Sequence, residues 1–284
     1  MVENTNPLNK YFRQPSVYVT LPSGGAYPPH VLTPSETGEV GVQPMTARDE
    51  IVFKTPDALM NGQGMVDVIQ SCIPAVKDAW QISNYDLDSI LIAIRIATYG
   101  ETMDINFNVP GTTEKADHTL NLPALLDQIK SATVKNEVVL KDGLKIAVRP
   151  LTYKDMTTTA LQTFTQQKLY STVQNADMAP EEKIKRFNES FKALTELSHT
   201  ILLKNVSSIT IQDGTEVTDP AQIKEFVEKA NATLIKELQD KLIELRTQGA
   251  VQPIKLKATE EQIKKGAPVS YEIPVTFDTA NFFV

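Results

Sequence analysis

Fifteen residues in the first half of the chain, Asp86-Leu-Asp-Ser-Ile-Leu-Ile-Ala-Ile-Arg-Ile-Ala-Thr-Tyr-Gly100, leave little choice of environment. Leu87, Ile90, Leu91 and Ile94 fall at i, i+3, i+4 and i+7, one face of a helix. Ile92, Ala93, Ile96 and Ala97 fill most of the remaining faces, and a helix apolar nearly all round belongs inside a domain or a membrane. A membrane span needs roughly 20 consecutive apolar residues, and Arg95 interrupts this run too early. The stretch therefore reads as a central buried helix, with Asp86 capping its start and Gly100 closing its end in a left-handed conformation. Arg95 becomes a guanidinium carried into a core, and a buried charge needs a partner. Asp49 and Glu50 are the expected candidates, and a clamp between helices is favoured over a ligand contact.

Around that helix the chain reads as short elements separated by clear breaks. Val17–Leu21 is a short strand stopped by Pro22-Ser-Gly-Gly25, and residues 30–44, polar and proline-spaced, are expected to run extended over the surface. Thr46 and Asp49 form a capping-box-like start for a helix over 47–54. Thr55-Pro56 restarts a second short helix that ends at Asn61-Gly62, and a third runs from Gly64 to Cys72 before Pro74. Past Gly100 the period changes to two: Met103, Ile105, Phe107 and Val109 alternate with polar residues. Pro110-Gly111 turns the chain, residues 118–122 return it, and 122–130 is a short helix. Asp142-Gly143 and Asp213-Gly214 each sit between strand-like runs, a strong hairpin signal.

Thr152 and Asp155 open a helix to about Val173, and Pro180 starts another carrying Ile184, Phe187, Phe191, Leu194 and Ile201 at near-heptad spacing. Asp219-Pro220 begins a long amphipathic helix with Ile223, Val227, Ala230, Leu234, Leu238, Leu242 and Leu245 on one stripe, ending near Gly249. These stripes are expected to pack on one another as an antiparallel arm; docking of a partner helix is the second reading. The tail returns to strands over 253–257 and 269–277. It ends in Phe282-Phe283, a pair that would be a docking peptide if exposed but is expected to pack on its own domain.

At 284 residues the chain has room for about two domains. The fold class is α+β: an extended segment 1–44 with a short strand, a helical unit 45–100 around the buried helix, a small β subdomain from 101–150 plus 251–284 closed by the C-terminal strands, and an inserted helical arm 152–250 with a β-hairpin. Net charge is −7 and the pI about 5.1, so no clustered basic surface is implied and nucleic acid is not an expected partner. The N-terminus lacks a basic region followed by an apolar core, so no secretory signal is expected.

Chemistry is sparse. Cys72, the single cysteine, excludes an intramolecular disulfide and lies among Val66, Val68, Ile69 and Ile73, the setting of a buried inert thiol. His30, His118 and His199 fall on a loop, a strand and a helix and form no zinc set with one cysteine. No phosphate loop, dinucleotide fingerprint, calcium loop or zinc-protease motif occurs. The pairs Asp49/Glu50, Glu181/Glu182 and Glu260/Glu261 sit in first turns of helices, where the helix dipole favours negative charge. No catalytic residues and no cofactor are expected, which favours a binding or structural role.

Five segments carry a resemblance: Leu21-Pro-Ser-Gly-Gly25, Pro44-Met-Thr-Ala-Arg-Asp-Glu-Ile51, Lys54-Thr-Pro-Asp-Ala-Leu-Met-Asn-Gly62, Ser71-Cys-Ile-Pro74 and Ala93-Ile-Arg-Ile-Ala-Thr-Tyr-Gly-Glu101. With the closing Pro274-Val-Thr-Phe-Asp-Thr-Ala-Asn-Phe-Phe283, the chain resembles the baseplate hub family of T-even-type contractile-tailed phages. The likeness covers roughly 11–109 and the last fifteen residues, and thins over the middle. It implies a virion protein of the tail baseplate, made in the host cytoplasm, that acts by protein–protein contacts in tail assembly. The implied partners are other baseplate hub proteins or tail-tube and tape-measure proteins, with no membrane span and no enzyme activity. A transient assembly chaperone absent from the mature virion is the alternative, and a tail-tip cell-wall hydrolase a distant third. On this reading Arg95, Asp49 and Glu50 are structural, while Phe187, Phe191, Leu234, Leu238, Phe282 and Phe283 are candidate contact residues. Many relatives carry a Cys-Pro-x-Cys zinc knuckle where this chain has Val109-Pro-Gly-Thr112. The β subdomain should then be held by apolar alternation, Ile105, Phe107 and Val109 against Ile273, Val275 and Phe277.

Overall fold

The computed structural model describes residues 6–53, 55, 62–131, 136–175, 179–248 and 251–275. It is an α+β protein of two compact units: one takes residues 1–79, 86–133 and 250–284, the other 80–85 and 134–249. Three expected features, the short helix over 56–61, the packing of Phe277 at the end of the tail strand and the Phe282-Phe283 pair, lie outside the described residues.

In the first unit, β1 (Val17–Thr20) and β2 (Glu39–Val42) form an antiparallel pair. Helix α1 (Ala47–Phe53) packs on α2 (Gln63–Cys72). The expected reciprocal cap is present at α1: the Thr46 amide donates to Asp49 at 2.7 Å and the Asp49 amide to the Thr46 hydroxyl at 3.3 Å. The all-round apolar stretch is helix α3 (Asn84–Tyr99), with Ile90, Leu91, Ile92, Ala93 and Ile94 all buried. Gly100 ends it at φ +97°, and its amide donates to the Ile96 carbonyl at 3.0 Å. The start differs from expectation. The helix opens at Asn84, with the Ser83 hydroxyl accepting the Tyr85 amide at 3.1 Å, so Asp86 sits inside the first turn rather than at the cap.

Residues 30–44 lie over the surface only in part: Thr33 and Ser35–Thr37 are exposed, but the segment also enters the core. Val31, Leu32, Val40 and Val42 are buried. The backbone of this segment is stitched to the helices: Gln43 N–H to Cys72 O at 2.8 Å, Thr33 N–H to Ala75 O at 3.1 Å and Lys77 N–H to Val31 O at 2.7 Å. Val31 and Leu32 show no period, and the Val40/Val42 alternation of β2 is only four residues long, which is why this burial is not legible in the sequence.

The same unit carries two more antiparallel pairs, β3 (Thr102–Asn108) with β4 (Lys115–Asn121), and β9 (Ile254–Lys257) with β10 (Ser270–Ile273), together with α4 (Leu122–Ser131) and the short α9 (Glu260–Lys264). Buried Val109, Ala267, Tyr271 and Ile273 form a core against which Ile105, Phe107 and Leu256 pack. Gly111, at φ +78°, sits so close to the chain that an added Cβ would stand 2.5 Å from the Gly266 carbonyl oxygen. Gly111→Ala is therefore expected to cost about 2 kcal/mol or more through combined backbone strain and overlap. Hydrogen exchange should read the loss at the Val109 and Ala267 amides, which donate to Glu114 O and Gln262 O.

The second unit is built on a four-stranded antiparallel sheet in the order β5 (Glu137–Val139), β6 (Lys145–Val148), β7 (Val206–Thr210), β8 (Glu216–Val217). Both hairpins turn at the expected Asp-Gly steps, with Gly143 and Gly214 at φ +86° and +90°. The central pairing of β6 with β7 joins residues about sixty apart, Ile146 opposite Ile209, with a bulge between Ala147 and Val148. Helices α5 (Tyr153–Asn175) and α6 (Pro180–Asn205) leave the sheet as an antiparallel pair, and α7 (Pro220–Lys229) and α8 (Ala232–Gln248) follow. The single long helix expected over 220–249 is thus two. Its stripe runs unbroken through Val227, Ala230 and Leu234, but Ala230 is extended at ψ 153°, and the Asn231 side chain accepts the Leu234 amide at 2.9 Å, capping a new helix. Leu202, Val206, Ile209, Ile223, Val227, Leu238 and Leu245 pack with Val138 and Ile146 in one core. Among the described residues no helix is long and apolar enough to cross a membrane.

Candidate functional site

The residues singled out by the sequence fall into a buried polar framework in the first unit and an exposed apolar helix pair in the second. The framework has three parts. Asp49, buried at the start of α1, takes Arg13 at 3.1 Å. The same guanidinium donates to Pro44 O at 3.0 Å and to both Ser71 O and Ser71 Oγ at 2.8 Å. Burial pushes the Asp49 carboxyl up, but the bonds from Thr46 and Ser71 and the charge of Arg13 together hold it below the usual carboxylate value. Cys72 lies beside this cluster, and burial raises its thiol pKa to about 12, so it stays protonated and unreactive.

The expected ion pair between Arg95 and Asp49 is therefore not formed; that carboxylate belongs to Arg13, a residue of the N-terminal segment with no periodic signal. Arg95 instead stands over the Tyr99 ring at 5.0 Å from its centroid, and the Tyr99 hydroxyl donates to Glu50 at 3.2 Å. The three residues form a chain along α3 and α1, a cation over an aromatic face whose hydroxyl holds a carboxylate.

The third part is Asp86, 0% exposed. Its carboxylate accepts the Ser23 amide at 2.8 Å, the Ser23 hydroxyl and the Tyr27 hydroxyl. Burial raises its pKa, opposed by those bonds. Ser23 belongs to the Pro22–Gly25 turn, so the turn is anchored on the buried helix by one carboxylate. The sequence displayed both halves, but nothing in it joined them.

In the second unit Leu238 is fully buried and Leu234 packs against the same core, so both hold the unit together. Phe187 and Phe191 are 44% and 66% exposed, with rings stacked 6.5 Å apart, and Ile184 is 61% exposed. Leu161 and Phe164 on α5 are exposed as well. The helices do pack, but among the described residues between 181 and 200 the buried side chain is Ser190, not one of the large apolar ones. The mutual burial expected of the stripes is thus incomplete. At about 1.5 Å per residue the 26 residues of α6 span roughly 39 Å. In the first unit, Leu8, Tyr11, Phe12 and Tyr18 of the N-terminal segment are also exposed.

Nothing in this arrangement resembles a reaction centre. Among the described residues no three His, Cys, Asp or Glu side chains group closely enough to hold a metal ion. The perturbed carboxylates Asp49 and Asp86 are engaged by their own neighbours, and the exposed apolar side chains offer a surface able to contact another molecule. No curated protein and no solved structure matches the chain. A family described as T4 bacteriophage base plate protein matches residues 15–277, nearly the whole length. The chain belongs to the T4 bacteriophage base plate protein family.

Proposed function

We propose that this baseplate protein is a structural subunit of the hub of a contractile phage tail, acting through protein–protein contacts made by the helix pair α5–α6 and by the N-terminal segment. Membership of the family makes it a phage tail component whose partners are other phage tail proteins. The hub position rests on the resemblance carried by the segments quoted above, residues 21–25, 44–51 and 93–101 among them. The observation that carries a contact role is the exposure of Ile184 and Phe191 on a helix running out from the four-stranded sheet. Large apolar side chains held in water on a long helix mark an interaction surface.

Quantitative mass spectrometry of purified virions tests the reading. A hub subunit appears at a fixed ratio to the other baseplate proteins. Its absence from finished particles, with failed tail assembly when the gene is removed, would make it a transient assembly chaperone instead.

A further inference from the structure

We propose that the outer part of the α5–α6 pair, residues 156–169 with 180–200, is a hinged arm that opens and recloses while the sheet of the second unit stays folded. A helix of a globular protein takes most of its stability from the apolar face it buries. Among the described side chains of α5 none is buried, and among those between 180 and 200 on α6 the buried one is Ser190. The partly buried Met156, Thr159, Thr163 and Gln166 follow one another at steps of three and four, so the side of α5 that meets α6 is mostly polar. On α6, Ala193, Leu194 and Leu197 are only partly covered.

Local terms do not make up the difference. From Met156 to Gln167 twelve residues run without a charge, so no ion pair braces α5 over that length. Five of them are threonine, a β-branched residue that loses rotamer freedom in a helix. The hydroxyls of Thr165, Thr195, Ser198 and Thr200 donate to carbonyls four residues back in their own helix, bonds that add nothing between the two helices. The root is built differently. Lys204 reaches Asp155 at 2.6 Å, the Tyr153 ring stacks on Trp80 with centroids 5.4 Å apart, and the Tyr153 amide donates to Ile82 O at 2.8 Å. Leu202, in the last turn of α6, is buried in the core of the unit. The pair is thus tied firmly at one end and weakly along its length, the arrangement of a segment that opens at a cost below that of global unfolding. In a subunit held by protein contacts, a neighbour can reset such an arm while the sheet keeps its fold.

The opening is a property of the free chain and stands apart from the hub assignment. Native-state hydrogen exchange of the purified full-length protein tests it. Amides in 157–169 and 184–200 are expected to exchange about 100-fold or more faster than those of the β6–β7 ladder, and with a weaker dependence on added denaturant. Thr159→Leu with Thr163→Leu gives α5 an apolar side toward Leu194 and Leu197. That double variant should slow exchange in the arm roughly tenfold and leave the sheet unchanged. Exchange of arm and sheet at one common rate, or an arm indifferent to the two leucines, overturns the proposal. The first measurement is made on the native chain, so it stands even where the double variant fails to fold.

Discussion

Asp86→Ala is expected to lower the unfolding free energy by about 3 kcal/mol or more. Three donors converge on this carboxylate: the Ser23 amide, the Ser23 hydroxyl and the Tyr27 hydroxyl. Alanine removes the acceptor but leaves the donors and a cavity at a wholly buried position, and each donor left without a partner costs roughly 1–3 kcal/mol unless water reaches it. The turn at Pro22–Gly25 should lose its hold on α3, and the Ser23 and Gly25 amides should exchange faster. Denaturant unfolding measures the free energy. A change under about 0.5 kcal/mol would mean that the carboxylate does not anchor the turn. The pH dependence has a definite sign. The folded-state pKa is raised, so the pH-dependent part of the stabilisation from Asp86 is fullest below the ordinary carboxylate value, about 3.9, and is lost as pH rises through the folded value, while the three hydrogen bonds to the ionised group persist. The deficit of the alanine variant should therefore widen as the pH is lowered from neutrality.

Arg13→Ala is the second large effect, expected at about 3 kcal/mol, because it strips a buried carboxylate of its cation and leaves Ser71 O and Pro44 O without their donor. Here the sign is opposite. The Asp49 pKa is lowered on folding, so its contribution is present above the ordinary carboxylate value and is lost as pH falls through the folded one. The native protein should lose stability in acid through this group, and Arg13→Ala should lose less of it over the same acid range. Thermal melts of both proteins from neutral pH to about pH 3 check this; parallel curves would show that Arg13 does not set the Asp49 ionisation.

Both sites show where sequence reasoning reaches and where it stops. The buried helix was legible because Leu87, Ile90, Leu91 and Ile94 repeat at the helical period and no face is left polar. Its end was legible in Gly100, and the hairpins in their Asp-Gly pairs, since these are local signals. Arg13 carries no such signal: its meaning comes from Asp49 and Ser71, which the fold brings to it from 36 and 58 residues away. The β6–β7 pairing escaped for the same reason, since no turn joins Val148 to Val206. The break between α7 and α8 escaped because the apolar stripe continues across it, and Asn231 was the one sign of a new start.

The exposed apolar face of α6 was half legible. The spacing of Ile184, Phe187 and Phe191 announced an apolar row, but not whether α5 would cover it. That depends on which side of each helix turns inward: between 181 and 200 Ser190 is buried, while Ala193, Leu194 and Leu197 are only partly covered. Leu234 and Leu238 share the same kind of spacing on α8 and are covered by the sheet and its neighbours. Period alone separates apolar from polar faces; the tertiary arrangement decides which apolar face remains outside.

The central claim is that a folded scaffold presents the outer face of α6 to another tail protein. It is tested most directly by measuring how much of an Ile184→Asp, Phe191→Asp double variant enters assembled baseplates when it replaces the native chain. Both side chains stand mostly in water, so the purified variant should melt within about a degree of the native protein. Its recovery in particles, counted against the other baseplate proteins by mass spectrometry, should nevertheless fall by roughly tenfold or more. Native recovery of a natively folded variant would contradict the claim.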